Sequence, residues 1–335
     1  MTSRNMSLKN KPFLLKPVGK DYLWGGTRLK TDFGKQLPQK PLAETWECST
    51  HPDGPSMVAG GQFAGWTLAR VLREHPEYLG THPASGNELP ILIKLIDADK
   101  NLSVQVHPDD EYARLNENGS LGKSEMWYVL DAAEDARLVY GFKHNMDRDT
   151  LRRSLQEGTL EKHLRMVNIK KDDVFFIEAG TVHAIGAGAL IAEIQESSNL
   201  TYRLYDYGRV DKNGKPRELH IDKALDVARL ESSIEPRQPM RVLKYRPGCA
   251  VEMLCRCKYF QTERMLLNTE TASVTIRAEI NSFQVLLCVD GEGALYNTET
   301  TGECIAFRKG DCIFIPADSA ELRLKGRAQL LKVEC

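Results

Sequence analysis

Gln105 and His107 stand two apart in Leu102-Ser103-Val104-Gln105-Val106-His107, whose strict alternation predicts a strand. Residues i and i+2 of a strand share a face, so these two side chains project together while Val104 and Val106 face the other way. They are either an ordinary hydrogen-bonded pair or half of a metal site. Two further residues extend the second reading. Glu125 immediately precedes the β-forming run Met126-Trp127-Tyr128-Val129-Leu130, and His183 follows the run Val174-Phe175-Phe176-Ile177 and an Ala179-Gly180 turn. Two imidazoles, one carboxylate and one neutral amide favour zinc, although other divalent metals would bind them too. With no thiolate and one weak amide ligand, such a site suits catalysis, because the ion keeps excess positive charge and acts as a Lewis acid.

Charged residues near these positions each carry two readings. Lys94 lies inside the apolar run Pro90-Ile91-Leu92-Ile93-Lys94-Leu95-Ile96, where an unpaired ammonium is costly to bury. It is a snorkelling or salt-bridged lysine, or an anion-binding group in a pocket. Arg203, in Asn199-Leu200-Thr201-Tyr202-Arg203, has a planar fork suited to phosphate. Lys123, two residues before Glu125, is a proton carrier at the metal or a surface lysine. Glu193, on a predicted strand, is an acid–base group or a salt-bridge partner.

These residues need a framework of strands. Extended segments are predicted at 42–49, 90–96, 102–107, 126–130, 174–177 and 189–194. Helical spacing appears at 66–78, 109–115, 147–167 (broken near Gly158) and 219–230. His107-Pro108 ends its strand, because proline cannot donate to a ladder. After Pro239 the chain reads as short strands, with turns at Pro247-Gly248, Asp290-Gly291-Glu292-Gly293, Lys309-Gly310-Asp311 and Pro316. Such punctuation predicts a barrel or jelly roll. Lys171-Asp172-Asp173-Val174-Phe175-Phe176-Ile177 is echoed by Lys309-Gly310-Asp311-Cys312-Ile313-Phe314-Ile315, which suggests two similar β-units in one chain. Tyr128-Val129-Leu130-Asp131 likewise resembles Leu287-Cys288-Val289-Asp290. In the second unit Glu321 stands for His183 and Gln284 for Glu125, so that unit lacks the ligand set.

Composition narrows the function classes. The 335 residues carry 45 Lys+Arg against 46 Asp+Glu, a balance that argues against a dedicated nucleic-acid or anionic-membrane binder. Apolar residues are 41% and charged residues 27%, enough for a sizeable core and too apolar for disorder. No stretch approaches the roughly 18 apolar residues that span a bilayer. Met1 to Pro12 lacks an apolar signal core, so a cytoplasmic location is expected. Seven of the eight cysteines lie after residue 240, and only Cys255-x-Cys257 is tightly spaced. They are expected to be reduced thiols rather than a zinc knuckle.

Taken together, Tyr22-Leu23-Trp24-Gly25-Gly26, Ala43-Glu44-Thr45-Trp46-Glu47, Leu102-Ser103-Val104-Gln105-Val106-His107-Pro108, Gly122-Lys123-Ser124-Glu125-Met126 and Ala179-Gly180-Thr181-Val182-His183-Ala184 resemble the type I mannose-6-phosphate isomerases of the short bacterial class. The resemblance runs from about Phe13 to Asp206, and the β-rich tail fits the family's C-terminal half.

It implies a mainly β fold of two cupin-like jelly-roll barrels, with helical segments in the N-terminal half. A catalytic domain over 1–240 and a metal-free cupin-like domain over 241–335 are expected. It implies one zinc per chain on Gln105, His107, Glu125 and His183. Arg203 would be catalytic, Lys94 and Ser103 would lie near a substrate phosphate, and Lys123 and Glu193 near the sugar. The implied reaction is the reversible isomerisation of mannose 6-phosphate and fructose 6-phosphate through an enediol. The general base is open among Glu193, Lys123 and a water on the zinc. Longer family members carry His where this chain has Gly122, which leaves the ring-opening group unassigned. The expected partner is a small sugar phosphate, with no nucleic acid, no membrane and no assignable oligomeric state. The alternatives are a sugar-phosphate-binding cupin without catalysis and a metal-dependent cupin oxygenase.

Overall fold

The computed structural model describes residues 10–82, 88–210, 213–234, 236, 242–298 and 303–335. The chain is mainly β. Two compact units are each built from more than one stretch: residues 1–17, 47–90 and 240–335 in one, and 18–46 and 91–239 in the other. Residues 237–241, around the expected domain junction, lie outside the described ones.

The unit of 18–46 and 91–239 is a pair of sheets. A six-stranded sheet runs in the order Val174–Ile177, Glu125–Ala132, Ala189–Glu196, Ile91–Asp97, Glu44–Cys48, Val18–Lys20. A five-stranded sheet runs Tyr202–Tyr205, Val104–Val106, His183–Ile185, Arg137–Phe142, Leu164–Asn168. One buried cluster takes Ile96, Trp127, Val129, Phe175 and Ile191 from the first sheet and Leu138, Val167 and Ile185 from the second. A second cluster takes the alternate residues of the five-stranded sheet, Val104, Val106, Val139, Ala184, Tyr202 and Leu204. They pack on Leu151 and on Ala224 and Leu225, from the helices Arg148–Gln156 and Ile221–Val227. The two-residue period of a strand therefore decides the fate of Gln105: its valine neighbours are consumed by the helix-facing core, and it is left on the other face.

The other unit carries a ten-stranded sheet, whose main path runs from Lys244–Arg246 through Cys249–Arg256, Gln261–Asn268, Leu322–Glu334, Gln284–Asn297 and Cys312–Ile315 to Phe13–Lys16 and Met57–Val58. The internal echo is reproduced in three dimensions. Ile177 pairs with Glu125, and Ile315 with Gln284. The Asp172 N–H donates to Val129 O, and the Gly310 N–H to Cys288 O, each at 2.8 Å. Asp173 Oδ2 and Asp311 Oδ2 both accept a backbone N–H three residues upstream, from Lys170 and Arg308, at 2.9 Å. Gln284 instead donates to Arg277 O and Glu334 Oε2, and Glu321 is exposed.

Three local expectations need correction. Residues 147–167 are not one helix: Arg148–Gln156 is helical, Gly158 (φ 67°) ends it, and Leu164–Asn168 is a strand paired to Arg137–Phe142. Residues 66–78 break at His75, before Pro76, into Leu68–Glu74 and a 3-10 turn at Pro76–Leu79. The Asp290-Gly291-Glu292-Gly293 segment is not a turn but the bulged middle of the 14-residue strand Gln284–Asn297. Gly291 takes φ 74° there, and a Cβ on it would lie 2.1 Å from Arg327 O, which only glycine tolerates.

Candidate metal centre

The register of the five-stranded sheet puts three site residues in one row. Gln105 pairs with His183 on one side and with Arg203 on the other. The six-stranded sheet builds a second row, in which Glu193 pairs with Lys94 and with Trp127. Glu125 shares the Trp127 face, two residues upstream. The rows converge: His107 Nε2 lies 3.1 Å from Glu125 Oε1, and His183 Nε2 lies 3.8 Å from Glu125 Oε2. One ligand atom from each of His107, Glu125 and His183 lies within 4.8 Å of the others, the one such acidic, histidine or cysteine group among the described residues. All three are at most 1% exposed.

Short backbone ties hold these groups. The Gly180 N–H donates to His107 O at 2.8 Å, so the turn leading to His183 is fastened to the other histidine. Gly180 takes φ 88° to make that turn. The segment before Glu125 is fixed amide by amide. Gly122 N–H donates to Asp110 Oδ1 at 3.1 Å, Lys123 N–H to Pro108 O at 3.0 Å, and Ser124 N–H to Glu196 Oε1 at 2.7 Å. A Cβ on Gly122 would lie 2.5 Å from the backbone of Asp109 and Asp110. That close approach is a physical reason for glycine at this position.

The donor set suits a divalent ion. His183 Nδ1 sits 2.8 Å from Thr181 O, which fixes its proton there and leaves the Nε2 lone pair for the centre. Burial lowers the His183 pKa; burial, then the Lys123 ammonium, lowers that of His107 to about 3. Both rings are therefore neutral ligands at neutral pH. Burial pushes the Glu125 carboxyl up, but the Lys123 ammonium outweighs this and holds it well below the usual range. Neither Glu125 oxygen receives a hydrogen bond. A buried, ionised carboxylate with no donor in hydrogen-bonding geometry, and only the Lys123 ammonium beside it, is what a cation would satisfy.

A cavity of about 270 Å³ adjoins this group, lined by Lys94, Ser103, Gln105, Lys123, Glu193 and Arg203 among others. Every site residue named from sequence is thus either in the buried triad or on this wall. Lys123 is 3% exposed, which removes the surface-lysine reading; its Nζ lies 2.8 Å from Glu125 Oε1 and 3.2 Å from His107 Nε2. Lys94 is the salt-bridged lysine, 3.1 Å from Glu193 Oε1. Glu193 Oε2 accepts from Trp127 Nε1 at 2.8 Å, and burial, aided by the charge of Glu125, raises its pKa. Arg203 Nε donates to Ser103 Oγ at 3.3 Å and Nη1 to Glu218 O at 2.8 Å, so this guanidinium has no carboxylate partner among the described residues. Sequence reasoning assigned no site role to Glu44, Trp127 or Arg217, which also line the cavity. The i, i+2 spacing of Glu44 with Trp46, whose Nε1 donates to Glu44 Oε2 at 2.8 Å, was a readable signal; Arg217 sits in a connection that offered none.

Residues 13–135 match the family model described as phosphomannose isomerase type I, catalytic domain, and residues 250–335 match that described as mannose-6-phosphate isomerase, cupin domain. The chain is 37% identical over 325 residues to a mannose-6-phosphate isomerase of Bacillus subtilis, covering 97% of this chain and 99% of the relative. It is 33% identical over 322 residues to one of Streptococcus mutans, covering 96% and 97%. A crystal structure of the Bacillus subtilis mannose 6-phosphate isomerase superposes with a TM-score of 0.87 at 35% identity, covering 96% of this chain and 99% of that one. With near-full-length relatives above 30% identity, the chain belongs to the type I phosphomannose isomerase family.

Proposed function

We propose that this isomerase interconverts mannose 6-phosphate and fructose 6-phosphate at the cavity walled by Lys94, Ser103, Lys123, Glu193 and Arg203, with one zinc ion held by His107, Glu125, His183 and Gln105. The observation that carries this reading is the buried, donor-poor Glu125 between two neutral histidines at the edge of a polar cavity. Gln105 completes the set once its amide is turned to aim Oε1, rather than Nε2, towards His183 Nε2, 3.3 Å away. When bound, zinc supplies Lewis acidity that favours negative charge on the substrate's C1 or C2 oxygen.

The remaining roles fall to the protein. Aldose–ketose exchange moves one proton between C1 and C2 through an enediol, so a single base must reach both carbons. Glu193 suits that role, because its Oε2 is anchored by Trp127 and its raised pKa lets it both take and return a proton. Lys94 keeps Oε1 in place and moderates the carboxylate's charge. Lys123, beside the metal group, is an ammonium donor for a developing oxyanion. Arg203 and Ser103, already joined, present a cationic fork and a hydroxyl to the substrate, and orientation of that kind supplies several kcal/mol.

The test is turnover of mannose 6-phosphate, read as fructose 6-phosphate formed, before chelation, after chelation and after zinc return. Activity lost and restored supports the reading. A protein that binds the sugar phosphate but does not turn it over with zinc, manganese, cobalt or iron overturns it.

A further inference from the structure

An ammonium that is already paired is a poor anchor for a phosphate. Lys94 is such a group: it is 4% exposed and lies 3.1 Å from Glu193 Oε1. Lys123 is likewise held beside Glu125. The excess positive charge of the cavity lies instead on the side of Arg203, where Arg217 joins it on the wall.

A tight reversal of the chain delivers Arg217. The Arg209 N–H donates to Asp206 O at 3.1 Å, closing a turn in which Tyr207 (φ 58°) and Gly208 (φ 66°) both take positive φ. Val210 bridges Pro216 antiparallel, and the His220 N–H donates to Arg203 O at 2.8 Å, so the chain returns alongside the strand Tyr202–Tyr205. Arg217 then meets Asp206 through two bonds, Nε to Oδ2 at 2.8 Å and Nη2 to Oδ1 at 2.6 Å. No hydrogen bond engages its Nη1 among the described residues. Arg209 closes on the same carboxylate, Nε to Oδ1 at 3.1 Å, and reaches Asn101 O.

Arg203, Arg209 and Arg217 are thus gathered around one buried carboxylate, Asp206, while the nearby Glu218 carboxylate is 82% exposed and screened by water. Two positive charges are left over, and a phosphomonoester carries nearly two negative ones above its second pKa of about 6. After burial, the charge of Arg217 is what most lowers the Arg203 pKa, and a dianion between the two guanidiniums removes that repulsion. The length fits as well. Arg203 is bonded to Ser103, two residues before Gln105 or about 7 Å of extended chain, comparable with the separation of C2 from phosphorus in a hexose 6-phosphate.

Resting on the isomerase reading above, we propose that Arg217 anchors the substrate phosphate and sets the preference for a phosphorylated hexose, with Arg203 on the other side of the dianion and Asp206 as the positioning residue that aims the Arg217 fork. Arg217 donates from Nη1. Asp206 fixes the plane of the guanidinium, so little ordering is left for the binding step. Lys94 then belongs to the catalytic end, with Glu193.

The experiment measures kcat and KM for mannose 6-phosphate, competitive inhibition by inorganic phosphate, and calorimetric binding of mannose 6-phosphate, in the zinc-loaded full-length parent and its variants. Arg217→Ala is expected to raise KM, the inhibition constant and the dissociation constant about tenfold to a hundredfold, with kcat within about threefold of the parent. Arg217→Lys keeps a charge but loses the fork, so an intermediate rise is expected. Asp206→Asn should raise KM by a smaller factor at unchanged kcat; a loss confined to kcat would remove its positioning role. Lys94→Met should leave phosphate inhibition as in the parent. The reverse pattern, with phosphate binding weakened by Lys94→Met and untouched by Arg217→Ala, overturns the proposal. A parent that binds mannose 6-phosphate without turnover sinks the isomerase reading alone, because calorimetry still ranks Arg217→Ala against Lys94→Met. A parent that turns it over while Arg217→Ala keeps all three constants sinks this assignment alone.

Discussion

Lys123 places its ammonium 2.8 Å from Glu125 Oε1, although neither oxygen of that carboxylate receives a hydrogen bond. A charge thus stands beside the ligand set without completing it. An ammonium so close to a carboxylate proposed to hold the ion opposes the cation electrostatically, which makes sense if Lys123 serves the substrate. Lys123→Ala is expected to keep zinc near one per chain and to lose about a hundred-fold or more in turnover. Metal analysis alongside the isomerase assay decides it: loss of zinc would make the lysine a structural part of the centre.

His107→Ala and His183→Ala are each expected to abolish zinc retention together with activity, because each removes one of the three buried ligand atoms. Gln105→Ala, which removes only an amide, should weaken zinc by a smaller factor. Full activity in either histidine variant would remove the site assignment.

Arg203→Ala should cut turnover by about two orders of magnitude at unchanged zinc content, since the guanidinium donates to Ser103 Oγ and Glu218 O rather than to the triad. Arg203→Lys keeps the charge but loses the fork, so a partial loss is expected. Zinc loss in the alanine variant would give the arginine a structural role.

Buried Lys94 and Glu193 should respond unequally to loss of the partner. Burial opposes the Lys94 ammonium, but Glu193, Glu44 and Glu125 outweigh it and raise its pKa, whereas Glu193 already leans towards its neutral form. Glu193→Gln, which deprives a charged lysine of its nearest partner, is expected to cost about 3 kcal/mol in urea unfolding. Lys94→Met should cost less, because the remaining carboxyl can take up a proton. The reverse order would contradict this account.

Asp206 is gripped by Arg217 (Nε to Oδ2 2.8 Å, Nη2 to Oδ1 2.6 Å) and by Arg209 (Nε to Oδ1 3.1 Å). Burial pushes its pKa up, but the two guanidiniums outweigh this and bring it below the usual aspartate value. A depressed carboxylate pKa contributes stability that is fully present above the unfolded value, about 3.9, and is lost as pH falls through the folded value. Asp206→Asn should therefore be less stable than the parent at pH 7, with the gap closing below about pH 4. A gap constant down to pH 2 would show that charge is not its source.

Gly122 offers a test of local sterics. Gly122→Ala drives a Cβ into the Asp109–Asp110 backbone and should cost about 1–3 kcal/mol while disturbing turnover through the neighbouring Lys123. Gly122→His should be no better tolerated. A stable, fully active alanine variant would show that the Asp109–Gly122 contact yields readily.

Much of the chemistry on offer was legible in the chain itself. Alternation around Val104, Gln105 and Val106 was enough to face Gln105 away from the helix-covered core, because a strand's two-residue period is local, and the short echo of Tyr128-Val129-Leu130-Asp131 in Leu287-Cys288-Val289-Asp290 was enough to equate Glu125 with Gln284. Two ambiguities, Lys94 and Lys123, had no local solution, since burial and pairing depend on strands far away in the chain. The same limit explains the strand at Leu164–Asn168: its leucine spacing continues a helical pattern, and only pairing with Arg137–Phe142 overrides it. Folding was needed to make His183, Gln105 and Arg203 lateral neighbours, and to bring Glu125 against two histidines. Cross-strand register is set by non-local hydrogen bonds and core packing, and a slip of one residue would turn every one of those side chains to the other face.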